Sequence, residues 1–487
     1  MTITIYNSLT RSKEPLETIK SDRIKMYCCG ITVYDYCHLG HARTCLIWDV
    51  VRNYLEWSGY EVTYIQNFTD IDDKILNRAK QEGTTMEDVS ERFIAAYFED
   101  MERLEIRQAD AYPRATHTLD GIKRLVSELE QKGFAYAAEG DVYYSVKKFR
   151  EYGKLSGRKL EDMQTGASGR VEATEASKKK DPVDFALWKT AKEGEPSWSS
   201  PWGAGRPGWH IECSAMVRER LGETIDIHVG GSDLTFPHHE NEIAQSEAAT
   251  GKPLANYWMH NGMVKVEGEK MSKSLGNFTT IRDLLDKPVD PMAVRLFILQ
   301  AQYRKPIDFT DEAIEAATNG WETLKDGLLF GQKFGKQLGF DEVNASPPSV
   351  ETFHETSSIK QKFQEAVDDD FNFAGGLAIL FEIAKELRKE GNVIVHQGKT
   401  NIDAKELETQ WRTLVELASV LGFKAELNEE TSSNDDKLTD ETIETLIEQR
   451  TAAKKAKNWF EGDRIRDELK AQGITLIDTK EGTTWHR

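Results

Sequence analysis

Two short groups of residues have the composition to handle phosphate. His38-Leu39-Gly40-His41 follows a β-branched, cysteine-bearing stretch, Ile24–Cys29, and sits where a helical pattern begins. A helix start offers unpaired N–H groups and the positive end of its dipole, and two histidines three residues apart lie on one face there. Gly40 between them removes a Cβ that would hold a base or backbone away. The second group, Lys270-Met271-Ser272-Lys273-Ser274, follows the alternation Met263–Val266 and the turn pair Glu267-Gly268. Lys270 and Lys273 on a loop can neutralise charge that builds on a phosphate in a transition state. Taken singly, each pattern is also that of an ordinary solvated surface.

Cysteine usage adds a third constellation. Of five cysteines, Cys28, Cys29, Cys37 and Cys45 crowd into eighteen residues, while Cys213 stands far away. An odd, clustered set in a reducing compartment reads as metal or catalysis before disulfides. His238 and Glu242 are spaced i, i+4 on a helical pattern, so they point the same way. Two thiolates, an imidazole and a carboxylate, from Cys28, Cys213, His238 and Glu242, suit a Zn²⁺ shell. By spacing alone, Cys29, Cys37, His210, His239 and Glu240 compete for those places.

The elements that must position these groups read as an α/β chain. Ile24–Cys29, Ala42–Ser58 and Glu61–Asn67 make strand, helix, strand, the unit of a parallel sheet, and helical patterns follow from Asp73 to about Arg107 and from His117 to Lys132. Residues 134–200 change character, with Tyr-rich strand-like pieces, a Gly/Ser segment and the basic run Lys178–Lys180, and read as an insertion. Strand signals resume at Thr224–Val229, followed by Gly230-Gly231 and a helical pattern from Pro237 to Ala249. The pattern from Asp311 to about Leu421 is helical, broken by a loop at Asn344–Ser349, and the acidic run Glu429–Asp436 reads as a linker.

With 487 residues, 39% hydrophobic and 30% charged, the chain is long enough for about three domains and too rich in core residues for wholesale disorder. No apolar run approaches the ~20 residues of a membrane helix. The N-terminal stretch shows no secretory signal, so a cytoplasmic protein is expected. The formal charge of −19 counts against a nucleic-acid partner unless a local basic face exists. Lys437–Arg487 breaks that balance, with ten basic and ten acidic residues.

The histidine and lysine motifs together, on a split sheet and in this order, resemble the signature of class I aminoacyl-tRNA synthetases, with Leu39 where isoleucine is frequent. Within that class the chain resembles the cysteinyl-tRNA synthetase family. The likeness is carried by Tyr27–Asp35, Asn67–Lys74, Gly205–Ser214, Gly230–Leu234, Pro237–Glu242, Arg464–Leu469 and Gly482–Trp485. It implies a split Rossmann-like catalytic domain in two halves, 1–133 and 201–256, with a connective insertion at 134–200. A stem-contact region with the lysine loop (257–310), a helical bundle (311–428) and an anticodon-binding module (437–487) would follow.

The resemblance further implies Zn²⁺ on Cys28, Cys213, His238 and Glu242, and phosphate contacts from His38 and His41. It places Lys270 and Lys273 on the reacting phosphorus, Gly40, Gly230, Gly231 and Asp233 around ATP, and Gly30, Thr32, Thr69 and Trp209 around the amino acid. The expected substrates are L-cysteine, ATP with Mg²⁺, and tRNA(Cys), handled by a monomer. Trp459, Trp485, Arg464, Arg466 and Arg487 would meet the RNA. A soft metal separates cysteine from serine better than an apolar pocket can, so no editing site is expected. Two rivals share parts of this pattern: a cysteine-activating ligase with an amino-sugar acceptor, and a non-catalytic cysteine- or RNA-binding homologue.

Overall fold

The structure, a computed structural model, describes residues 2–162, 177–270, 279–340, 358–427, 440–456, 458–471, 474–479 and 482–486. Met271–Ser274 with Lys273, the Asn344–Ser349 loop, the Glu429–Asp436 linker and Arg487 lie outside them. The chain divides into two compact units, Met1–Ala425 and Glu426–Arg487.

The first unit begins with a hairpin, β1 (Thr4–Asn7) and β2 (Ser12–Pro15). Then come β3 (Arg23–Thr32), α1 (Leu39–Trp57) and β4 (Glu61–Thr69), with β3 and β4 parallel. Both strands run past the ends read from sequence and carry the chain further toward one edge of the sheet. The expected helix from Asp73 to Arg107 is two helices, α2 (Asp73–Glu82) and α3 (Met86–Arg103). Gly83 ends the first at φ +66°, a left-handed cap that glycine adopts without a Cβ penalty, and Thr85 starts the second with a capping box to Asp88.

After α4 (Leu119–Gln131), the insertion folds as an antiparallel sheet of β5 (Ala135–Ala138), β6 (Asp141–Tyr144), β7 (Phe185–Thr190) and β8 (Gly205–Pro207). Its last strand lies beyond Ser200, because Gly205–Pro207 pairs with Trp188–Thr190 and belongs to this sheet. The parallel sheet resumes with α5 (Trp209–Arg220), β9 (Ile225–Gly231), α6 (Glu240–Thr250) and β10 (Ala255–Asn261). Its strand order is β10-β9-β3-β4, all parallel.

Strand alternation then separates the two cores. Met26, Cys28 and Ile31 face one core with Cys45 and Leu46 of α1, whereas Tyr27 and Cys29 face the other, with Leu125 of α4, Cys213 of α5 and Ile243 of α6. A small sheet follows, β11 (Val264–Val266) with β12 (Glu269–Lys270) and β13 (Ile307–Phe309). Glu267 and Gly268, both at positive φ, make the two-residue turn read from sequence.

Helices α7 (Ile281–Leu285), α8 (Pro291–Leu299), α9 (Asp311–Leu328), α10 (Phe330–Leu338), α11 (Ser358–Asp368), α12 (Phe373–Gln397) and α13 (Ala404–Val420) complete the unit. Leu324, Leu380 and Leu414 join the same core as α1, so the bundle is packed into the sheet's own unit. The second unit holds α14 (Asp440–Lys455), α15 (Trp459–Ala471) and the hairpin β14 (Thr475–Thr479) with β15 (Gly482–His486). Its small core is Ile443, Ile447, Ile465, Leu469 and Ile474.

Candidate active site

The carboxyl ends of the four parallel strands share one edge of the sheet. The chain leaves β3 toward β4 on one side and β9 toward β10 on the other. The crevice between β3 and β9 is therefore a topological switch point, where open α/β sheets hold ligands. Most of the expected residues reach it through their elements. Gly30 and Thr32 end β3, Thr69 ends β4, Gly230 and Gly231 end β9 with Asp233 in the next turn, and Trp209 opens α5.

His38 and His41 sit at the start of α1, and their rings stack at 3.7 Å. His38 Nδ1 accepts the Gly40 and His41 backbone N–H groups at 3.0 and 3.3 Å, and His41 Nδ1 accepts that of His38 at 3.4 Å. Burial holds His38 down to about 4, and burial with the neighbouring His38 holds His41 well below its ordinary range. Both rings are thus neutral near pH 7. With each Nδ1 an acceptor, each proton is assigned to Nε2, which makes two donors beside a positive helix end.

Around the strand ends, glycine is dictated by close approach. A Cβ on Gly30 would lie 1.7 Å from the Asn67 carbonyl oxygen and one on Gly230 2.9 Å from Cε1 of the buried His239, whereas one on Gly231 would meet only the exposed Asp233 carboxylate, which can swing aside. Thr69 Oγ1 donates to Glu212 Oε2 at 3.0 Å inside the protein. Glu212 escaped the sequence reading. Burial, then the adjacent Cys213, pushes its carboxyl well up, and its other oxygen has no hydrogen-bond partner among the described residues.

Cys29, Cys213, His238 and Glu242 form a fully buried group whose ligand atoms all lie within 4.8 Å of one another. The expected Cys28 is not among them. Cys28 and Cys29 are consecutive on a strand and face opposite sides: Cys28 points into the α1 core with Cys45, Cys29 into the core that holds Cys213. Cys29 Sγ stands 3.7 Å from Cys213 Sγ and 3.1 Å from Glu242 Oε1, and His238 Nε2 is 3.1 Å from Glu242 Oε1. Trp209 covers His238 with ring centres 4.4 Å apart.

Charge in this group is polarised. The Cys29 thiol lowers Cys213 to about 6, while burial pushes Cys29 itself well up. Burial opposes charge on His238, but Glu242 and Cys213 outweigh it and hold the ring up at about 9. His228 and His238 likewise overcome burial at Glu242 and hold its carboxyl low.

The other competitors find different places. His210 backs His238, Nδ1 to Nδ1 at 3.0 Å. His239 forms an overlapping group with Cys29, His228 and Glu242, and contacts His260 at 2.9 Å. Glu240 accepts backbone N–H groups of Gly153 and Ser156 in the insertion, at 2.9 and 2.8 Å. Cys37 is buried on the α1 side.

The backbone of Lys270 ends β12, where the lysine motif begins. Both flanks of the motif are tied to α1. Beyond it, Leu39 N–H donates to the Thr279 carbonyl at 3.4 Å and Ile281 N–H to that of Cys37 at 2.9 Å. Before it, the buried Arg43 guanidinium donates to the carbonyls of Gly262 (2.8 Å) and Met263 (2.9 Å), and it also reaches those of Tyr303 (3.0 Å) and Lys305, well beyond the motif. One cation on the histidine-motif helix thus fixes the start of the hairpin that leads to the lysines.

In the second unit, Trp459 is 62% exposed. Trp485 is partly buried against the small core and donates to Glu444 at 2.9 Å. Arg464 is held by Glu461 and Glu468, and Arg466 lies 3.6 Å from Asp463.

A family model described as the class I (C) tRNA synthetase catalytic domain matches residues 15–319, and a DALR domain model matches residues 362–426. The chain is 75% identical to a cysteine–tRNA ligase of Rippkaea orientalis and 73% identical to one of Gloeothece citriformis, in each case over 490 residues and 100% of both chains. Among solved structures it is similar to Mycobacterium tuberculosis methionyl-tRNA synthetase in complex with methionyl-adenylate. There the TM-score is 0.55 at 15% identity, covering 82% of this chain and 89% of that one. The Agrobacterium radiobacter K84 agnB2 LeuRS–tRNA–LeuAMS complex gives a TM-score of 0.56 at 12% identity, over 84% and 86%. These likenesses confirm the class I fold, and the end-to-end identity with the curated relatives shows that the chain belongs to the cysteine–tRNA ligase family.

Proposed function

We propose that the chain activates L-cysteine with ATP and transfers it to the 3′ end of tRNA(Cys). The observation that carries this is the buried group of two thiols, an imidazole and a carboxylate on the sheet edge that also holds the paired histidines. Its donors fit Zn²⁺. With Zn–S bonds of ~2.3 Å, tetrahedral geometry sets two sulfurs about 3.8 Å apart, and those of Cys29 and Cys213 are 3.7 Å apart. With shorter bonds of ~2.05 Å, nitrogen and oxygen stand about 3.3 Å apart, and His238 and Glu242 are separated by 3.1 Å. When bound, Zn²⁺ supplies a soft Lewis acid that favours the cysteine thiolate over a serine hydroxyl.

The remaining chemistry is positioning. The cysteine carboxylate attacks the α-phosphorus of ATP, pyrophosphate leaves, and a terminal ribose hydroxyl of the tRNA then takes the acyl group as AMP departs. Nε2–H groups of His38 and His41 hold phosphates, with Gly40 giving them room. Gly230 and Gly231 leave space for adenosine, and Asp233 accepts from its ribose hydroxyls. Lys270 and Lys273 stabilise charge on the reacting phosphorus, with Mg²⁺ accompanying ATP. Gly30, Thr32, Thr69 and Trp209 surround the amino acid. No side chain need act as a covalent nucleophile, so orientation and fixed charge carry the rate.

The second unit takes the anticodon, with the exposed Trp459 offering a stacking face and Arg464, Arg466 and Arg487 meeting phosphates or base edges. No described helix is long and apolar enough to cross a membrane, and the protein acts as a cytoplasmic monomer. Charging of a tRNA(Cys) transcript with labelled cysteine tests the reading. An alkali-labile cysteinyl ester on the RNA supports it, and transfer to an amino sugar with none to RNA contradicts it.

A further inference from the structure

An open groove of about 480 Å³ lies between the turn of the β1–β2 hairpin and the insertion segment Arg150–Lys159. The hairpin turn is fixed to the carboxyl end of β10: Ser8 N–H donates to the Trp258 carbonyl at 2.8 Å, and Ser8 Oγ meets His260 Nδ1 at 2.8 Å. The insertion segment is fixed to α6, where buried Glu240 accepts from Gly153 and Ser156 and Asn241 accepts from Tyr152. The groove therefore opens on the sheet edge that carries the candidate active site. Arg158 links the two directly, lying 4.3 Å over the ring of Phe236, beside the strand-end turn of β9.

Its lining is strongly basic on a chain of net charge −19. Arg11, Arg150, Lys154, Arg158 and Lys159 face it, against a single acid, Glu151. Lys154 is neutralised by Glu151 at 3.1 Å and Glu247 at 2.5 Å. The other four are exposed, and none has a carboxylate partner among the described residues. Elsewhere in the unit, exposed arginines such as Arg92, Arg103 and Arg107 are paired with acids. Four unneutralised cations around one concave surface fit a run of phosphates, whereas a single small anion would leave most of them unused.

We propose that this groove holds the phosphodiester backbone of the tRNA near its acceptor end, with Arg11, Arg150, Arg158 and Lys159 each facing phosphate. The inference rests on the aminoacylation reading and extends it to a second RNA contact, within the first unit. Glu240 is the positioning residue, holding the basic segment to the helix that carries Glu242.

The test is direct tRNA binding to the full chain as a function of salt, comparing wild type with the double variant Arg150→Ala/Lys159→Ala. Neither residue touches the candidate active site. Losing two phosphate contacts makes the slope of log affinity against log salt shallower by about 1.5, with weaker binding at every salt concentration. Arg150→Lys with native Lys159 should bind as wild type does. An unchanged slope and affinity in the double variant overturns the proposal. So does loss of its cysteine-dependent ATP–pyrophosphate exchange together with binding, which would mark the segment as structural support. Failure of wild-type exchange alone, with RNA binding and its salt dependence intact, would sink the aminoacylation reading and leave the groove standing.

Discussion

Replacing Arg43 should separate stability from positioning at the lysine loop. Its guanidinium is buried and donates to four backbone carbonyls, of Gly262, Met263, Tyr303 and Lys305. Burial lowers the pKa of Arg43 to about 10, so it stays charged at neutral pH. Arg43→Met keeps much of the volume but orphans all four acceptors. At ~1–3 kcal/mol for each buried unsatisfied group, offset by relaxation and water entry, the loss of stability is about 4 kcal/mol. Arg43→Lys retains the charge, yet a single ammonium cannot span the two segments, and about 2 kcal/mol is lost.

Urea denaturation measures those losses, and cysteine-dependent ATP–pyrophosphate exchange on the folded variants measures positioning. If about 2 kcal/mol of the disrupted anchoring appears in the activation barrier, the exchange kcat of Arg43→Lys falls by roughly 30-fold. KM for cysteine moves little, because the metal-ligand group lies on the opposite face of the sheet. A folded Arg43→Lys protein with wild-type exchange would refute the idea that this residue positions the lysine motif.

Three further outcomes follow from single sites. Cys29→Ser should lose tightly bound zinc while Cys28→Ser keeps one equivalent, as read by metal analysis after gel filtration; the reverse pattern would restore the assignment that strand parity excludes. His38 should stay neutral until about pH 4 in an NMR titration of the ligand-free protein. Since it would titrate near 6.5 when unfolded, its contribution is complete above that pH and lost as pH falls toward 4, at no more than about 1.4 kcal/mol per pH unit; a midpoint near 6.5 in the folded protein contradicts the stacked, buried arrangement. Trp459→Ala should leave the thermal midpoint within about 1 °C, as expected for an exposed side chain, while raising KM for tRNA; a clear loss of stability would place it in the core.

The parallel sheet was legible because β-branched runs and Gly breaks mark β3, β4 and β9, and because the motifs fall at their ends. The site was legible by element for the same reason. The choice between Cys28 and Cys29 was not, since adjacent strand residues differ only in face, and the face is set by packing. One available signal was the shared parity of Tyr27 and Cys29 opposite Met26 and Cys28. The break at Gly83 is a helix-stop signal in principle, but a lone glycine inside a helical pattern is also tolerated at modest cost, so the sequence by itself does not mark it as the end of α2. Arg43 could not be found from sequence, because its four acceptors come from backbone more than 200 residues away. Glu212 was hidden for a similar reason: it lies on α5, and its partner Thr69 ends β4, 143 residues earlier in the sequence.

The most direct test of the account is ATP–pyrophosphate exchange with cysteine and with serine, before and after zinc removal. Robust exchange with cysteine, near-silence with serine, and loss on chelation restored by added Zn²⁺ is the predicted result. Exchange with cysteine that survives complete zinc removal, or comparable exchange with serine, would contradict the claim that the Cys29, Cys213, His238 and Glu242 group selects the substrate.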